Sequence, residues 1–456
     1  MPWPASHART AKVAEHPWAW PLTVALITLL SLGLRLHYVI HAQVLQPVYD
    51  QQHVRADGVE YYAYARNLVQ HRTFSMAPEN HAPPAPDSFR DPGYPVFLAA
   101  WMTIWPDWDR WYAAVLLSQA LLGGLTVPLG MMLARRWMPL PWLAAAGTLM
   151  ALWPHSIAIN SFILSESLVG FLTVASLAWL GRALDTDNWT SAMGSTAVLS
   201  MAGLSNAVLM PAAAVASVWL AACRKLRWRT ALALVVLPFL LCGAWQVRNA
   251  LTVNSSSTTG RALINLAQGS WPEYHQAYQG AMRHAPGATE AMQAIDEETA
   301  LLQRDPARGL RAILGRFNRH PIHYTAWYLS KPLLLWGWNI RMGQGDIYVY
   351  PTRASPFVDN SAWRAVAALC RALNPLLLAA MIASWIVMVW RRQQVLPSLH
   401  LTAAITVYVT LVYTVLQAEP RYAIPFRPLE ILLATWATWL MAQAVRARLG
   451  RAATPA

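Results

Sequence analysis

Runs of about 20 almost uncharged residues recur along most of this chain and constrain it more than any other feature. Such a run is what a helix needs to cross a bilayer, because in hydrocarbon each backbone amide must be satisfied within its own helix or in a closed barrel. The candidate spans fall at about 20–40, 112–134, 140–159, 161–181, 191–206, 207–223, 230–247, 372–390, 398–417 and 428–445. The pattern predicts an all-α polytopic membrane protein of about ten transmembrane helices. Only 12% of the 456 residues are charged, against roughly a quarter in soluble proteins. That excludes a disordered or ordinary cytosolic chain.

Basic residues tell the spans which way to run. The formal charge is 35 − 22 = +13, and only Lys12, Lys225 and Lys331 are lysines. A nucleic-acid binder gathers its cations into a patch on a soluble domain. Here they stand in short clusters between apolar runs, as topology signals do. Arg9 and Lys12 precede the first run, and Arg135 and Arg136 follow the second. Arg182 follows the fourth, Arg224, Lys225, Arg227 and Arg229 the sixth, Arg391 and Arg392 the eighth, and Arg446, Arg448 and Arg451 the tenth. Both termini are therefore expected in the cytoplasm, with residues 1–19 and 446–456 as tails and 20–445 as the membrane domain. Arg35, His37 and Tyr38 follow the first run where a cleavage site would need small residues, so this run reads as a retained helix.

Two long polar segments then face outward, about 41–111 and about 247–365. The second contains the Trp-rich stretch Tyr324 to Asn339, which carries Lys331 and Pro332 centrally. It is short for a crossing and reads as an interfacial helix. The fifth and sixth runs meet through Gly203, Leu204, Ser205 and Asn206, leaving a tight turn. Cys223, Cys242 and Cys370 lie in or beside apolar runs with no metal-site spacing, which suits packing.

Ionisable residues avoid the middle of the spans and gather at the outer surface: Asp57, Glu60, Arg90, Asp91, Glu166, Arg248, Lys331, Glu419 and Arg421. A transporter places such groups at midspan in two related halves, so this pattern builds a surface site instead. Helical spacing puts Asp57, Tyr61, Tyr64 and Leu68 on one face, with Glu60 beside Asp57. An Asp followed three residues on by Glu also resembles a capping box. Both readings stay open, since a carboxylate at a helix start can also take a proton from a hydroxyl. Phe89-Arg90-Asp91-Pro92-Gly93-Tyr94-Pro95 demands a turn. His41, His53, His71 and His81 lack metal-ligand spacing and read as solvated.

These clusters, in this order, resemble the bacterial C-type-fold glycosyltransferases of the protein O-mannosyltransferase and aminoarabinose transferase group. The matching pieces begin with Asp57-Gly58 and Tyr61, followed by Ala65, Asn67 and Leu68. Arg90-Asp91-Pro92-Gly93-Tyr94-Pro95 and Leu164-Ser165-Glu166 follow. The last are Trp245-Gln246-Val247-Arg248-Asn249, the stretch His320-Pro321, Tyr324, Lys331 and Trp336, and Arg421-Tyr422 with Pro425. The likeness runs from about residue 20 to 445. It implies a multi-pass protein of the bacterial inner membrane with its active site on the extracytoplasmic face. The donor would be a sugar on a polyprenyl phosphate, and the acceptor a glycan, lipid or protein, with no nucleic acid involved.

In that family the acidic residue of the first loop is the catalytic base, and the match here is Asp57, with Glu60 beside it. Arg421 is first choice to stabilise the departing phosphate, with Lys331, Arg248 and Arg90 behind it. Tyr61, Tyr94, Glu166 and Tyr422 are the other candidate substrate contacts. Many relatives carry two adjacent acidic residues where this chain has Asp57-Gly58. Glu60, Asp91 or Glu166 is left to supply a second carboxylate, and no metal or other cofactor is expected, although carboxylates can ligate hard cations. The rivals are an O-antigen polymerase or ligase, a lipid-linked sugar flippase, and a non-catalytic relative. An acidic loop directly after the first helix favours the transferase.

Overall fold

The computed structural model describes residues 17–44, 56–78, 83–186, 188–223, 227–252, 258–341, 347–391 and 395–452. Helix α1 (Ala19–His41) leads through β1 (Gln43–Val44) to the first-loop helices α2 (Asp57–His71) and α3 (Gly93–Ile104). Then come α4 (Trp108–Ala134), α5 (Leu140–Leu152), the short α6 (Pro154–Ala158), α7 (Glu166–Thr186), α8 (Trp189–Ser205), α9 (Ala212–Ala222) and α10 (Trp228–Thr252). The second long segment is helical as well: α11 (Thr258–Gly269), α12 (Tyr274–Met282), α13 (Ala288–Arg304), α14 (Pro306–Arg319) and α15 (Pro321–Leu335). β2 (Thr352–Ala354) and α16 (Pro356–Asp359) lead to α17 (Ser361–Trp390), α18 (Pro397–Val415), α19 (Pro420–Ala423) and α20 (Arg427–Ala452).

All ten predicted runs fall on helices. Among the described residues, α1, α4, α7, α10, α17 and α18 are long and apolar enough to cross a membrane. α5 and the segment from Pro154 to Ser161 would make a seventh span, bent by 54°. The sequence predicts one helix there. Pro154 breaks it, because proline lacks an N–H and drives the preceding residue out of the helical region; Trp153 is extended, with φ −65° and ψ 115°. α8, with 17 residues, and α9, with 11, are shorter, and α20 is more polar. Length and composition therefore support six or seven crossings where ten were expected. Arg9 and Lys12 of the N-terminal tail, and Arg224, Lys225 and Arg392 of the basic clusters, lie outside the described residues.

Side-chain contacts show which helix ends meet. Trp137 Nε1 donates to Ser398 Oγ at 2.9 Å, tying the exit of α4 to the start of α18. The Arg135 guanidinium lies 4.5 Å from the Trp20 ring. β1 and β2 pair antiparallel, with Gln43 opposite Ala354, and so join the first long segment to the second. The first segment folds on its own polar groups. Asn67 Nδ2 donates to the Ser75 and Ala77 carbonyls at 2.9 and 3.0 Å, and Asp87 takes the N–H groups of Met76 and Phe89.

The second segment is pinned over the end of α18. A Cβ at Gly269 would collide with the Leu416 carbonyl, so only glycine lets α11 approach so closely. Beneath that contact the buried Lys331 Nζ donates to both carbonyls, Gly269 O at 2.8 Å and Leu416 O at 2.5 Å. Burial lowers its pKa to about 7. Cys223, Cys242 and Cys370 are buried, in keeping with packing roles.

Candidate active site

Asp57 opens α2, but the helix is capped by extended Ala56 with no side-chain cap. The capping-box arrangement is therefore not formed, and the two carboxylates of the first turn point elsewhere. Arg90 Nη2 donates to Asp57 Oδ1 at 2.6 Å, and Arg90 Nε donates to Glu60 Oε2 at 2.6 Å. Arg421 Nη2 donates to the other oxygen, Asp57 Oδ2, at 2.6 Å. Arg421 Nε stands 3.4 Å from Glu166 Oε1. Two guanidinium groups from distant stretches of sequence thus close on the Asp57 carboxylate, each also reaching a second carboxylate.

Local structure explains how each arrives. Arg90 sits in the predicted turn, and its own N–H is held at 3.3 Å by the Tyr64 hydroxyl, which bonds Asp87 in turn. Gly93 follows, where a Cβ would collide with the Ser205 hydroxyl, so the turn lies directly on the end of α8. Arg421 belongs to the single turn α19, which starts at Pro420 after extended Glu419. Glu166 is the first residue of α7.

Burial disfavours the charge on Asp57, yet Arg90 and Arg421 outweigh it and hold its pKa below the ordinary carboxylate range. Burial likewise opposes the charge on Arg90 and Arg421, and the carboxylates around them push both pKa values up. The cluster thus shares two guanidinium groups among three carboxyl groups, and burial pushes the pKa of Glu166 up despite Arg421. It can release a cation to another anion only by giving up a carboxylate.

The cluster forms the head of a cavity of about 400 Å³. Asp57, Tyr61, Arg90, Glu166, Arg421 and Tyr422 all line it. Residues set further into the spans, Val169 of α7 and Tyr408 and Val412 of α18, give it an apolar wall. The Tyr422 ring stacks on Tyr413 at 5.1 Å, and Arg90 lies 5.2 Å from the Tyr61 ring centroid. α11 closes one side with Arg261, whose Nη2 donates to Asp91 Oδ2 at 2.6 Å.

Arg261 escapes the sequence reading. It is the single Arg in the stretch between Arg248 and Arg283, on an amphipathic helix of the second long segment. That placement was its available signal.

Three candidates stand apart from the cavity. Tyr94 is buried, and its hydroxyl donates to Gln119 Oε1 at 2.7 Å. Arg248 Nη1 donates to the Asp87 carbonyl at 2.9 Å, and its guanidinium lies 4.9 Å from the Trp245 ring. Lys331 serves the backbone clamp already described. His41 and His71 are exposed, while His53 and His81 lie outside the described residues. Among the described residues, no three His, Cys, Asp or Glu side chains stand close enough to hold one metal ion.

No family model and no curated protein matches the sequence. Solved structures do. The apo oligosaccharyltransferase of Archaeoglobus fulgidus matches 97% of this chain with a TM-score of 0.51 at 15% identity. The same protein tethered to an acceptor peptide containing an NVT sequon matches 95% of the chain, with a TM-score of 0.50 at 13% identity. This chain spans about half of that protein, 52% in the apo form and 51% in the tethered form. ArnT from Cupriavidus metallidurans bound to undecaprenyl phosphate matches 91% of this chain and 78% of its own, with a TM-score of 0.37 at 14% identity. The chain accordingly shares the polytopic helical fold of the matched half of the oligosaccharyltransferase.

Proposed function

We propose that the chain transfers a sugar from a polyprenyl-phosphate donor to an acceptor hydroxyl, with inversion, at the extracytoplasmic face of the membrane. One observation carries this reading. Asp57 and Arg421 meet at the polar head of a cavity whose other wall, from Val169, Tyr408 and Val412, is apolar and set into the spans. A phosphate joined to a long hydrocarbon has that same division of character. The fold adds support, because its neighbour is by name an oligosaccharyltransferase tethered to an acceptor peptide.

The geometry suggests an order of events. In the free protein Asp57 is a weak base, since two guanidinium groups stabilise its anion. A donor phosphate seated beside Arg421 takes over the N–H donors now given to Asp57 Oδ2, because guanidinium pairs well with phosphate. That frees one carboxylate oxygen and raises its proton affinity. The base is armed only once the donor is bound.

The acceptor oxygen then attacks the anomeric carbon as the bond to the phosphate oxygen breaks. The bonding pair leaves on the phosphate, and the acceptor proton passes to Asp57. Negative charge grows on the leaving phosphate, so Arg421 stabilises the transition state more than the ground state. Arg90 keeps Asp57 and Glu60 in place, and Tyr61 and Tyr422 face the sugar. Arg248 and Lys331 act at one remove, holding the loop carbonyls that shape the cavity.

The test is transfer from a synthetic polyprenyl-phosphate sugar by the purified protein in lipid. Asp57→Asn should still insert and fold yet lose transfer by about 10²- to 10⁴-fold, and full activity would remove Asp57 as the base. Mass spectrometry of envelope glycans and glycoproteins, with and without the gene, would identify the sugar and the acceptor.

A further inference from the structure

Arg35 is a buried cation in a membrane helix, and among the described residues no carboxylate stands within ion-pair distance of it. Its side chain, in α1, is 2% exposed. Nη1 donates to Ser31 Oγ at 2.7 Å and to the Ser31 and Ala151 carbonyls at 3.2 and 3.3 Å. Nη2 donates to the Met150 carbonyl at 3.4 Å. Nε is buried and bonds nothing. Dipoles alone compensate a charge poorly in such a place, and an intramembrane ionisable residue marks function more often than packing.

An anion with the converse deficit lies across a small cavity. Glu166, 9% exposed, keeps Oε1 near Arg421 while its Oε2 is buried without a partner. Arg35 and Glu166 both line a cavity of about 30 Å³, together with Asn160 and Ser167. That volume holds a water molecule, and a stable buried water needs two to four polar partners. Gly123 keeps the space open, since a Cβ there would run into Asn160 Oδ1 and stand 3.1 Å from Arg35 Nε. The ionisable groups facing Glu166 from its other neighbours are Arg421, Asp57, Arg90, Tyr350, Tyr413 and Tyr422. Of the two arginines there, Arg90 is engaged by Asp57 and Glu60, and Arg421 by Asp57. Arg421 thus serves Asp57 and the Oε1 side of Glu166, and Glu166 Oε2, facing the cavity that Arg35 lines, is left without a hydrogen-bond partner.

We propose that this cavity is a water site through which Arg35 Nε is hydrogen-bonded to Glu166 Oε2, making Arg35 the positioning residue that keeps Glu166 ionised beside Arg421. Its meaning for catalysis rests on the transferase reading. Glu166 as an anion shares Arg421 with Asp57, and so sets how readily Arg421 turns to a phosphate. The water site itself does not depend on that reading.

Infrared spectroscopy of the purified protein in lipid reads the protonation of Glu166 without any donor. At neutral pH the wild type should show no protonated-carboxyl band that disappears in Glu166→Gln. Arg35→Gln removes the charge but keeps a hydrogen-bond donor. It should show a new protonated band worth most of one carboxyl, absent from the double variant with Glu166→Gln. Arg35→Lys should restore the wild-type spectrum. Gly123→Ala fills the space from the other side and should produce the same band with Arg35 intact, which keeps the test open if Arg35→Gln does not fold. A spectrum unchanged in both Arg35→Gln and Gly123→Ala overturns the proposal. So does a wild type that already carries the Glu166 band. If the spectra respond as expected while no sugar is transferred, the transferase reading falls and the water site stands.

Discussion

Asp57 Oδ2 and Arg421 Nη2 stand 2.6 Å apart although 364 residues separate them in the chain. The contact joins the start of α2 to the turn between the last two long helices, and it seals the head of the cavity. In the donor-free protein each group therefore limits the other: the carboxylate occupies the guanidinium, and the guanidinium keeps the carboxylate a weak base. This reciprocity gives the first expectation. Asp57→Asn should lower transfer by about 10²- to 10⁴-fold, the usual worth of a positioned base, and should tighten binding of polyprenyl phosphate by releasing Arg421. Isothermal binding in lipid nanodiscs checks it, and weaker binding in Asp57→Asn would contradict it.

The same pairing fixes a pH dependence. The folded pKa of Asp57 is depressed, so kcat/KM should stay level as pH falls through about 4, the ordinary carboxylate range. Arg90→Gln removes one of the two cations, raises the Asp57 pKa and should move the acid limb to higher pH. Linkage has a definite sign here. Asp57 contributes stability fully above its unfolded pKa, roughly 3.9, and loses it as pH falls towards the lower folded value. The difference in Tm between wild type and Asp57→Asn should accordingly shrink on acidification below about pH 4, and growth of that difference would reverse the assignment.

Tyr94 separates a motif residue from a site residue. Its hydroxyl is satisfied by Gln119, away from the cavity. Tyr94→Phe should cost about 1–2 kcal/mol of stability, the worth of a buried hydrogen bond and the acceptor left behind, with donor KM unchanged. A thermal melt beside a titration of donor concentration distinguishes this from direct substrate contact, which would raise KM at unaltered Tm.

These cases show how far the sequence could be read. Hydropathy and arginine clusters locate the helices because membrane crossing is a local demand on about 20 residues at a time. They miss the bend at Trp153-Pro154, where one apolar run conceals a proline that breaks it. Asp57, Glu166, Arg90 and Arg421 are legible as a group through their shared place at or beyond the ends of the apolar runs, although their contacts are not. Arg261 is not legible, because its partner Asp91 lies 170 residues away. Arg248 and Lys331 look like phosphate ligands by residue type. Charge alone does not say whether a cation will meet a substrate or a backbone carbonyl.

Arg427 shows the same distinction in the opposite direction. It lies six residues after Arg421, yet it is 1% exposed and pairs with the buried Glu430 at 2.7 Å. The Nη1 of that pair also reaches the Trp336 carbonyl at 3.2 Å and Asn374 Oδ1 at 3.0 Å, and Nη2 donates to the Gly337 carbonyl at 2.5 Å, tying α20 to α17 and to the end of α15. Deleting one member of a buried pair strands the other charge and costs about 3–5 kcal/mol. Arg427→Met should therefore lower Tm sharply, and the double variant with Glu430→Leu should recover much of that loss, because no buried charge is left uncompensated. Arg421→Met should cost less stability than Arg427→Met, because Arg90 still holds Asp57, while slowing turnover and raising the donor KM. Melting curves and donor titrations on the same four proteins decide the matter. Equal losses of stability in Arg421→Met and Arg427→Met would make Arg421 one more structural cation and leave Asp57 without a partner for the leaving phosphate.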